Sequence, residues 1–367
     1  MIKNCYIHIP FCDKICSYCD FCKIFKYDKL VDKYLDALER EIKTIYKGEE
    51  LETIYIGGGT PSSLSVSQLE RLFDILSIFK KSKEIEFTIE GNFESTDRGK
   101  LELYKEVGIN RLSFGIETIS KDGLELLDRS IDLNKVNNTI SICRELGFNN
   151  INVDLIYALP NETIDDLSKD LDYIYSLDIE HISTYSLIIE DNTKLKINNV
   201  KNISEDLDYE MYKCICESMK KHGYSHYEIS NFSKDGYESR HNLCYWNNDN
   251  YYGFGLGASA YIDNMRITNT RSLDNYCLDK YVKEVEYLDI DDKMEYEVML
   301  NLRKHSGIDL DKFKLKYNKS FSEIYNCNDL IVLGLLKLEN NHLYISEDKW
   351  YISNGIIVDV LERKIYG

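Results

Sequence analysis

The chain has 367 residues, 43% of them hydrophobic and 12% aromatic, which excludes wholesale disorder and allows two or three packed domains. Sixty-three acidic residues against 45 basic ones leave a formal net charge of −18, which repels phosphate backbones and anionic head groups and argues against nucleic acid as a partner. No apolar run reaches the roughly 20 residues that span a bilayer, and the start lacks a signal-peptide plan, so a cytoplasmic protein with no integral membrane segment is expected.

A first strand near 6–10, Tyr6-Ile7-His8-Ile9-Pro10, leads directly to Cys12, Cys16 and Cys19 in a Cys-x-x-x-Cys-x-x-Cys array. Three thiolates on one short loop suit a cubane iron–sulfur cluster, holding three of its four irons and leaving one open. Tyr18 and Phe21 beside them would shield a cluster from water and offer faces for a stacked adenine. One alternative is a zinc knob with Cys22 as fourth ligand, although zinc sites usually pair two Cys-x-x-Cys units and this chain lacks the second. Another is that these are ordinary small core residues. The eleven cysteines, odd in number and mostly scattered outside this loop, fit a reducing compartment better than a disulfide framework.

From Tyr6 to about Ile189 short β-rich runs alternate with helical patterns, an α/β signature of units around a parallel sheet. Strands are expected near 6–10, 53–57, 84–89, 111–115, 150–156 and 181–188, with helices near 28–47, 66–80, 98–107, 120–127, 133–147 and 163–176. Six strands are too few for a closed eight-stranded barrel and suit an open one. Leu30, Tyr34, Leu38, Ile42 and Ile45 form the apolar stripe of the first helix. The three prolines, Pro10, Pro61 and Pro160, each follow a strand. In parallel α/β folds the loops after strands form the active face, so these turns mark one rim.

Gly57-Gly58-Gly59-Thr60-Pro61 closes the second strand with three residues that let backbone groups approach a ligand closely. Glu90 and Glu117 close the third and fourth strands on the same rim, where a carboxylate can bind an ammonium group or a ribose hydroxyl. Arg129 can pair with a carboxylate through a bidentate fork. Asp154 lies amid strand-forming apolar residues and needs a partner, because a buried unpaired charge is costly.

A helix near 205–222 precedes an irregular aromatic and polar segment from about 224 to 262. Within it, Arg240-His241-Asn242-Leu243-Cys244-Tyr245-Trp246 has the parts for a porphyrin site: an imidazole to ligate iron and flat faces to cover the macrocycle. The heme c signature Cys-x-x-Cys-His is absent. Gly253-Phe254-Gly255-Leu256-Gly257-Ala258 superficially matches a dinucleotide fingerprint but opens no early βαβ unit, and is read as a flexible or close-packed loop. From about 290 the pattern becomes helices near 293–303, 309–316 and 326–337, a hairpin of Leu335 to Leu338 against Leu343 to Ile345, and a last helix near 353–363, together a small winged-helix-like module. In so acidic a chain this module is expected to make domain contacts, and a zinc-stabilised winged-helix regulator is disfavoured.

The cysteine array and its aromatic neighbour resemble the radical S-adenosylmethionine superfamily. Tyr6 to Cys12, the Gly-Gly-Gly-Thr-Pro run, Asp154 to Pro160, Tyr227 to Phe232 and His241 to Trp246 resemble, essentially end to end, the HemW family of heme chaperones, relatives of the oxygen-independent coproporphyrinogen III oxidases. The resemblance implies a partial (β/α)6 barrel with a C-terminal domain of the oxidase type: a radical core over 1–235, a connecting segment over 236–289 and the C-terminal domain over 290–367. It implies a [4Fe–4S] cluster on Cys12, Cys16 and Cys19, and S-adenosylmethionine lined by Tyr6, Tyr18, Gly58, Gly59, Thr60, Glu90, Glu117, Arg129 and Asp154. Its open iron would be chelated by the cofactor's amino and carboxylate groups, and the cofactor would carry the hard chemistry. His241 would ligate heme iron in a His-Asn-x-x-Tyr-Trp motif. Apo-hemoproteins such as respiratory-chain proteins are the implied acceptors, and a homodimer is compatible with the family. An oxidase that decarboxylates a porphyrinogen is the alternative, but it has a cysteine where this chain has Phe21 and a long extension before the cluster. Two departures from HemW stand out: Glu117 replaces the usual glutamine, and Gly257-Ala258-Ser259-Ala260-Tyr261 lacks a histidine common in that loop.

Overall fold

The computed structural model describes residues 2–365. Six parallel strands, β1 (Asn4–Ile9), β2 (Glu50–Gly58), β3 (Lys80–Gly91), β4 (Arg111–Glu117), β5 (Ile151–Tyr157) and β6 (His181–Ser186), lie side by side in chain order. Between them run α1 (Asp28–Ile45), α2 (Val66–Leu76), α3 (Arg98–Glu106), α4 (Lys121–Leu126), α5 (Leu133–Glu145) and α6 (Ile164–Ser176). Neighbours in sequence are neighbours in space, the order of an opened barrel, so the fold is the expected α/β class.

The strands alternate. Ile7, Ile9, Ile54, Ile56, Phe87, Ile89, Leu112, Phe114, Val153, Leu155 and Ile182 belong to one buried apolar core with the helices. The other face is polar: Tyr6, Tyr55, Glu90, Ser113, Asn152, Asp154 and His181 meet across the barrel interior through Tyr6–Tyr55 stacking and the hydrogen bonds Tyr55 to Glu90, Asn152 to Ser113, Asn152 to Asp154 and His181 to Asn152. A parallel sheet buried on both faces ordinarily reads as continuous apolar runs. A polar inner face costs stability unless its groups are paired, and it gives the barrel a lumen able to bind polar ligands. In α1 Tyr34, Leu38 and Ile42 of the expected stripe are enclosed, joined by Val31 and Leu35, while Leu30 and Ile45 are half-buried against the same core.

The segment 224–262, expected to be irregular, is instead largely ordered. It contains β7 (Ser225–Glu228), β8 (Asn231–Ser233), the helix α8 (Arg240–Trp246), β9 (Tyr251–Phe254) and β10 (Ser259–Ile262), and the sheet continues into β11 (Met265–Asn269) and β12 (Val282–Tyr287). β9 adds in parallel beside β1, and β10, β11 and β12 follow antiparallel; β8 and β7 add antiparallel beyond β6, so the sheet has 12 strands. Strands of three to six residues with mixed polarity carry too little periodicity to be read from sequence. The glycine run 253–257 is close-packed: Gly255 has φ +106°, and a Cβ there would lie 2.5 Å from the His8 carbonyl oxygen.

α7 (Glu205–Lys221) leads from the barrel toward the C-terminal module. That module has its own core of Met294, Val298, Phe313, Leu330, Ile345, Trp350 and Val360. It consists mainly of α9 (Ile290–Asn301), α10 (Leu310–Tyr317), the hairpin β13 (Leu336–Glu339) and β14 (His342–Ile345), and α11 (Ser353–Glu362). The helix expected near 326–337 runs only over Asn328–Val332, because Leu336 already belongs to the hairpin. Its two-residue turn, Asn340-Asn341, has φ values of 50° and 60°, the type I′ geometry that asparagine tolerates and that matches strand twist.

Candidate functional site

The cysteine loop leaves the carboxyl end of β1 and is closed at its neck, where Phe11–Cys12 pairs in parallel with Ile24–Phe25. Further in, Ser17 anchors it to the end of α4, its N–H donating to the Leu127 carbonyl at 3.1 Å and its hydroxyl to that of Leu126 at 2.6 Å. Cys12, Cys16 and Cys19 are free thiols that line one cavity of about 140 Å³ together with Gly58, Gly59 and Thr60. Burial pushes all three thiols up, Cys12 to about 11, so metal loading would release protons. The Thr60 hydroxyl donates to the Cys12 sulfur at 3.5 Å.

Among the described residues no three His, Cys, Asp or Glu side chains converge tightly enough for a single metal ion. Cys22 does not line the cavity; a Cβ on Gly257 would lie 2.5 Å from its Cβ, so it packs under the 253–257 loop. Three thiols on one cavity wall fit the donor set of a cluster with three protein ligands, and Cys22 stands apart from them.

Glycine is required where the rim approaches this loop. A Cβ on Gly57 would lie 2.7 Å from the Glu90 carboxylate, and one on Gly59 would lie 2.7 Å from the backbone of Pro10. Gly58, at φ +113°, donates its N–H to Glu90 Oε2 at 2.9 Å, while Tyr55 donates to Oε1 at 2.7 Å. Both carboxylate oxygens of Glu90 are therefore engaged, and burial raises its pKa to about 7.

At the end of β4 a register shift between Gly115 and Glu117 places Glu117 at φ 60°. Its carboxylate folds back over Gly115, accepts from the Tyr18 hydroxyl at 3.0 Å and faces Arg129 at 2.7 Å. Arg129 also donates to the Gly115 carbonyl at 3.0 Å and to Asn92 at 3.3 Å. Burial opposes the guanidinium charge, but Glu117 opposite holds it protonated. Asp154 lines the cavity, accepts from Asn152 at 2.9 Å and is raised by burial.

Eleven of the residues expected at the cluster and cofactor site thus share one cavity: the three cysteines with Tyr18, Gly58, Gly59, Thr60, Glu90, Glu117, Arg129 and Asp154. Tyr6 is not on its wall; it lies deeper in the barrel, bonded to His8 Nδ1 at 2.9 Å and stacked on Tyr55. Asn92 and Ser113 also line the cavity; Asn92 directly follows β3, and Ser113 stands on the polar face of β4 between Leu112 and Phe114. Arg111, 1% exposed with its Nε unpartnered, sits at the start of β4, and a charge inside a strand was the signal for it.

His241 lies at the opposite end of the barrel. α8 caps the amino-terminal end of the strands, the backbone N–H groups of Arg240 and His241 each donating to the Glu86 carboxylate at 2.9 Å. The imidazole is 1% exposed, stacks on Tyr55 at 5.2 Å, and has both nitrogens occupied, Nδ1 with Thr53 and Nε2 with Tyr245, each at 2.7 Å. Burial lowers its pKa to about 3, keeping it neutral. In this arrangement neither nitrogen is free for iron.

The radical SAM superfamily model matches residues 6–174 and the HemN C-terminal domain model matches 288–351. The fold is similar to that of coproporphyrinogen III oxidase from Escherichia coli, with a TM-score of 0.85 over 97% of this chain and 89% of the other at 22% identity, a likeness of fold alone. Curated relatives called heme chaperone HemW include one from Bacillus subtilis, 39% identical over 97% of this chain and 98% of its own length, and one from Lactococcus lactis, 35% identical over 96% of each. With such relatives matched over nearly its whole length, the chain belongs to the HemW family of radical SAM proteins.

Proposed function

We propose that this chain is a cytoplasmic heme chaperone that carries a [4Fe–4S] cluster on Cys12, Cys16 and Cys19, binds S-adenosylmethionine in the adjoining cavity, and passes heme to apo-hemoproteins such as those of the respiratory chain. The observation that carries the reading is the opening of three free thiols onto the cavity lined by Gly58, Gly59, Glu117 and Arg129. When bound, the cluster would supply an electron beside the sulfonium. The chain's own residues do the positioning: Thr60 donates to the Cys12 sulfur, Gly58 and Gly59 leave room beside the thiols for the amino acid moiety because they carry no side chains, and Arg129 offers a cation for its carboxylate. No described helix is long and apolar enough to cross a membrane.

His241 is the iron ligand proposed by family resemblance, and its use requires Thr53 or Tyr245 to release a ring nitrogen. Anaerobic reconstitution should give about four iron and four sulfide per chain, and a heme-loaded sample should transfer heme to an apo-hemoprotein. Colourless, iron-poor but folded protein would defeat the cluster assignment. Decarboxylation of coproporphyrinogen III with S-adenosylmethionine and a reductant would replace the chaperone reading with an oxidase.

A further inference from the structure

Arg111 is enclosed by the barrel without a partner. It is 1% exposed, its Nε has no hydrogen bond, and its guanidinium enters no ion pair among the described residues. A buried charge left unpaired costs stability, and a fold keeps such a cost where function uses it.

The strand register places this charge. Leu112 and Phe114 of β4 join the apolar core, so Arg111, Ser113 and Gly115 face the lumen. In the ladders Thr88 pairs with Arg111, Glu90 with Ser113, and Asp154 with Gly115. Two residues along a strand span roughly 6.6 Å, so Arg111 starts one layer beneath Glu90 and Ser113, under the floor of the cysteine cavity. From there its charge acts on both Glu90 and Asp154.

The two carboxylates have no other free cation. Glu90 is held by Tyr55 and the Gly58 N–H, Asp154 by Asn152, and neither enters an ion pair among the described residues. Tyr6 from β1, Tyr55 from β2 and Tyr185 from β6 also face them, but desolvation pushes these phenols up and they stay neutral. Glu117 repels Asp154; Arg129 attracts it but is committed to Glu117 at 2.7 Å. Glu90 and Asp154 repel each other as well. On its lower side Arg111 faces Tyr227, His181 and His241. Glu86, one layer below on β3, is taken by the N–H groups of Arg240 and His241 at 2.9 Å each.

We propose that Arg111 is a positioning residue for S-adenosylmethionine: the counter-charge beneath the cavity floor that keeps Glu90 and Asp154 as anions for the cofactor's ammonium group and ribose hydroxyls. Without it, burial and mutual repulsion would leave at least one of the two acids protonated near neutral pH. Two acids and a single guanidinium also leave one negative charge in the lumen, which the sulfonium of the incoming cofactor cancels. The inference rests on the cofactor reading above and adds which buried charge prepares the site.

Equilibrium dialysis of S-adenosylmethionine against the full-length, cluster-loaded protein, from about pH 6 to about pH 8.5, tests this. Near neutral pH Arg111→Met should bind about tenfold more weakly, with the acid limb of its profile moved up by about one pH unit. Arg111→Lys keeps the charge and should keep both the affinity, within about threefold, and the limb. The cofactor's own amino group titrates alike in every protein, so the difference belongs to the chain. Because methionine removes an unpaired buried charge, the urea midpoint of Arg111→Met should not fall below that of the wild type. Arg111→Gln, neutral but able to hydrogen-bond, makes the same comparison a second time. Neutral variants that bind like the wild type, that bind weakly with the acid limb unmoved, or that both lose much stability overturn the assignment and leave the cofactor reading standing. If the cluster-loaded wild type binds no S-adenosylmethionine, the cofactor reading fails and this role with it.

Discussion

Glu117 and Arg129 face each other at 2.7 Å on the wall of the cysteine cavity, with side chains only 8% and 9% exposed. Under the proposed function Arg129 receives the methionine carboxylate, and Glu117 already neutralises it. Glu117→Gln removes both the competing counter-ion and a like charge that repels the incoming carboxylate. The expected outcome is S-adenosylmethionine binding about tenfold tighter, a change of roughly 1.4 kcal/mol, read by equilibrium dialysis on cluster-loaded protein. Weaker binding in the variant would mean that Glu117 makes a favourable contact of its own. Arg129→Ala should instead leave Glu117 buried and unpaired and cost about 3–5 kcal/mol of stability.

How much of this was legible in the sequence follows from the geometry. The cysteine loop, the glycine run, Glu90 and Asp154 could be found because each stands at or near the end of a predicted parallel strand, and the topology brings those ends together. The alternation in Tyr6-Ile7-His8-Ile9, Arg111-Leu112-Ser113-Phe114 and Asn152-Val153-Asp154-Leu155 was visible too, and it marks a barrel with a polar lumen. The ion pair of Glu117 was hidden because it depends on a register shift and on φ 60° at one residue. The enclosure of His241 was hidden because Thr53 and Glu86, which hold it, lie more than 150 residues away in the chain. The added edge strands were too short to announce themselves.

Cysteine substitutions separate the cluster ligands from their neighbour. Cys12→Ser, Cys16→Ser and Cys19→Ser should each lose most of the reconstituted iron, because each removes one of three protein ligands. Cys22 lies off the cavity under Gly257. Cys22→Ala should therefore retain iron and sulfide at wild-type stoichiometry by elemental analysis, and a zinc-bound protein that loses its metal in this variant would contradict the assignment.

The loop 253–257 should tolerate no side chain at its centre. Gly255 combines φ +106° with backbone and tyrosine oxygens 2.5 Å from an added Cβ, so Gly255→Ala should destabilise the fold by about 3 kcal/mol or more. Gly355 sits within α11 with nothing within 4 Å of an added Cβ. Gly355→Ala should stabilise by about 0.5–1 kcal/mol, since alanine loses less backbone entropy in a helix. Urea midpoints of the two variants, measured at equal m-value, should move in opposite directions.

The same loop is tied to α1 by Glu41, which is fully buried and accepts from the Gly255 N–H at 2.8 Å, from Asn269 at 2.6 Å and from Tyr276 at 2.5 Å. Burial outweighs these three donors and lifts the carboxyl to about 7. A carboxyl raised in the folded state is protonated there while the unfolded chain has already lost its proton, so between about pH 4.5 and 7 the native state binds more protons and stability falls as pH rises. His8 and His241, lowered to about 4 and about 3, work in the opposite sense below about pH 6.5, and Glu90 and Glu228, also raised to about 7 by burial, work in the same sense, so the whole-protein profile mixes several groups. The contribution of Glu41 is isolated by Glu41→Gln, whose amide does not titrate. The stability of wild type relative to this variant should decline by on the order of 3 kcal/mol from pH 5 to pH 8. Urea unfolding of both proteins across that interval checks it, and a constant difference would mean that Glu41 stays ionised throughout.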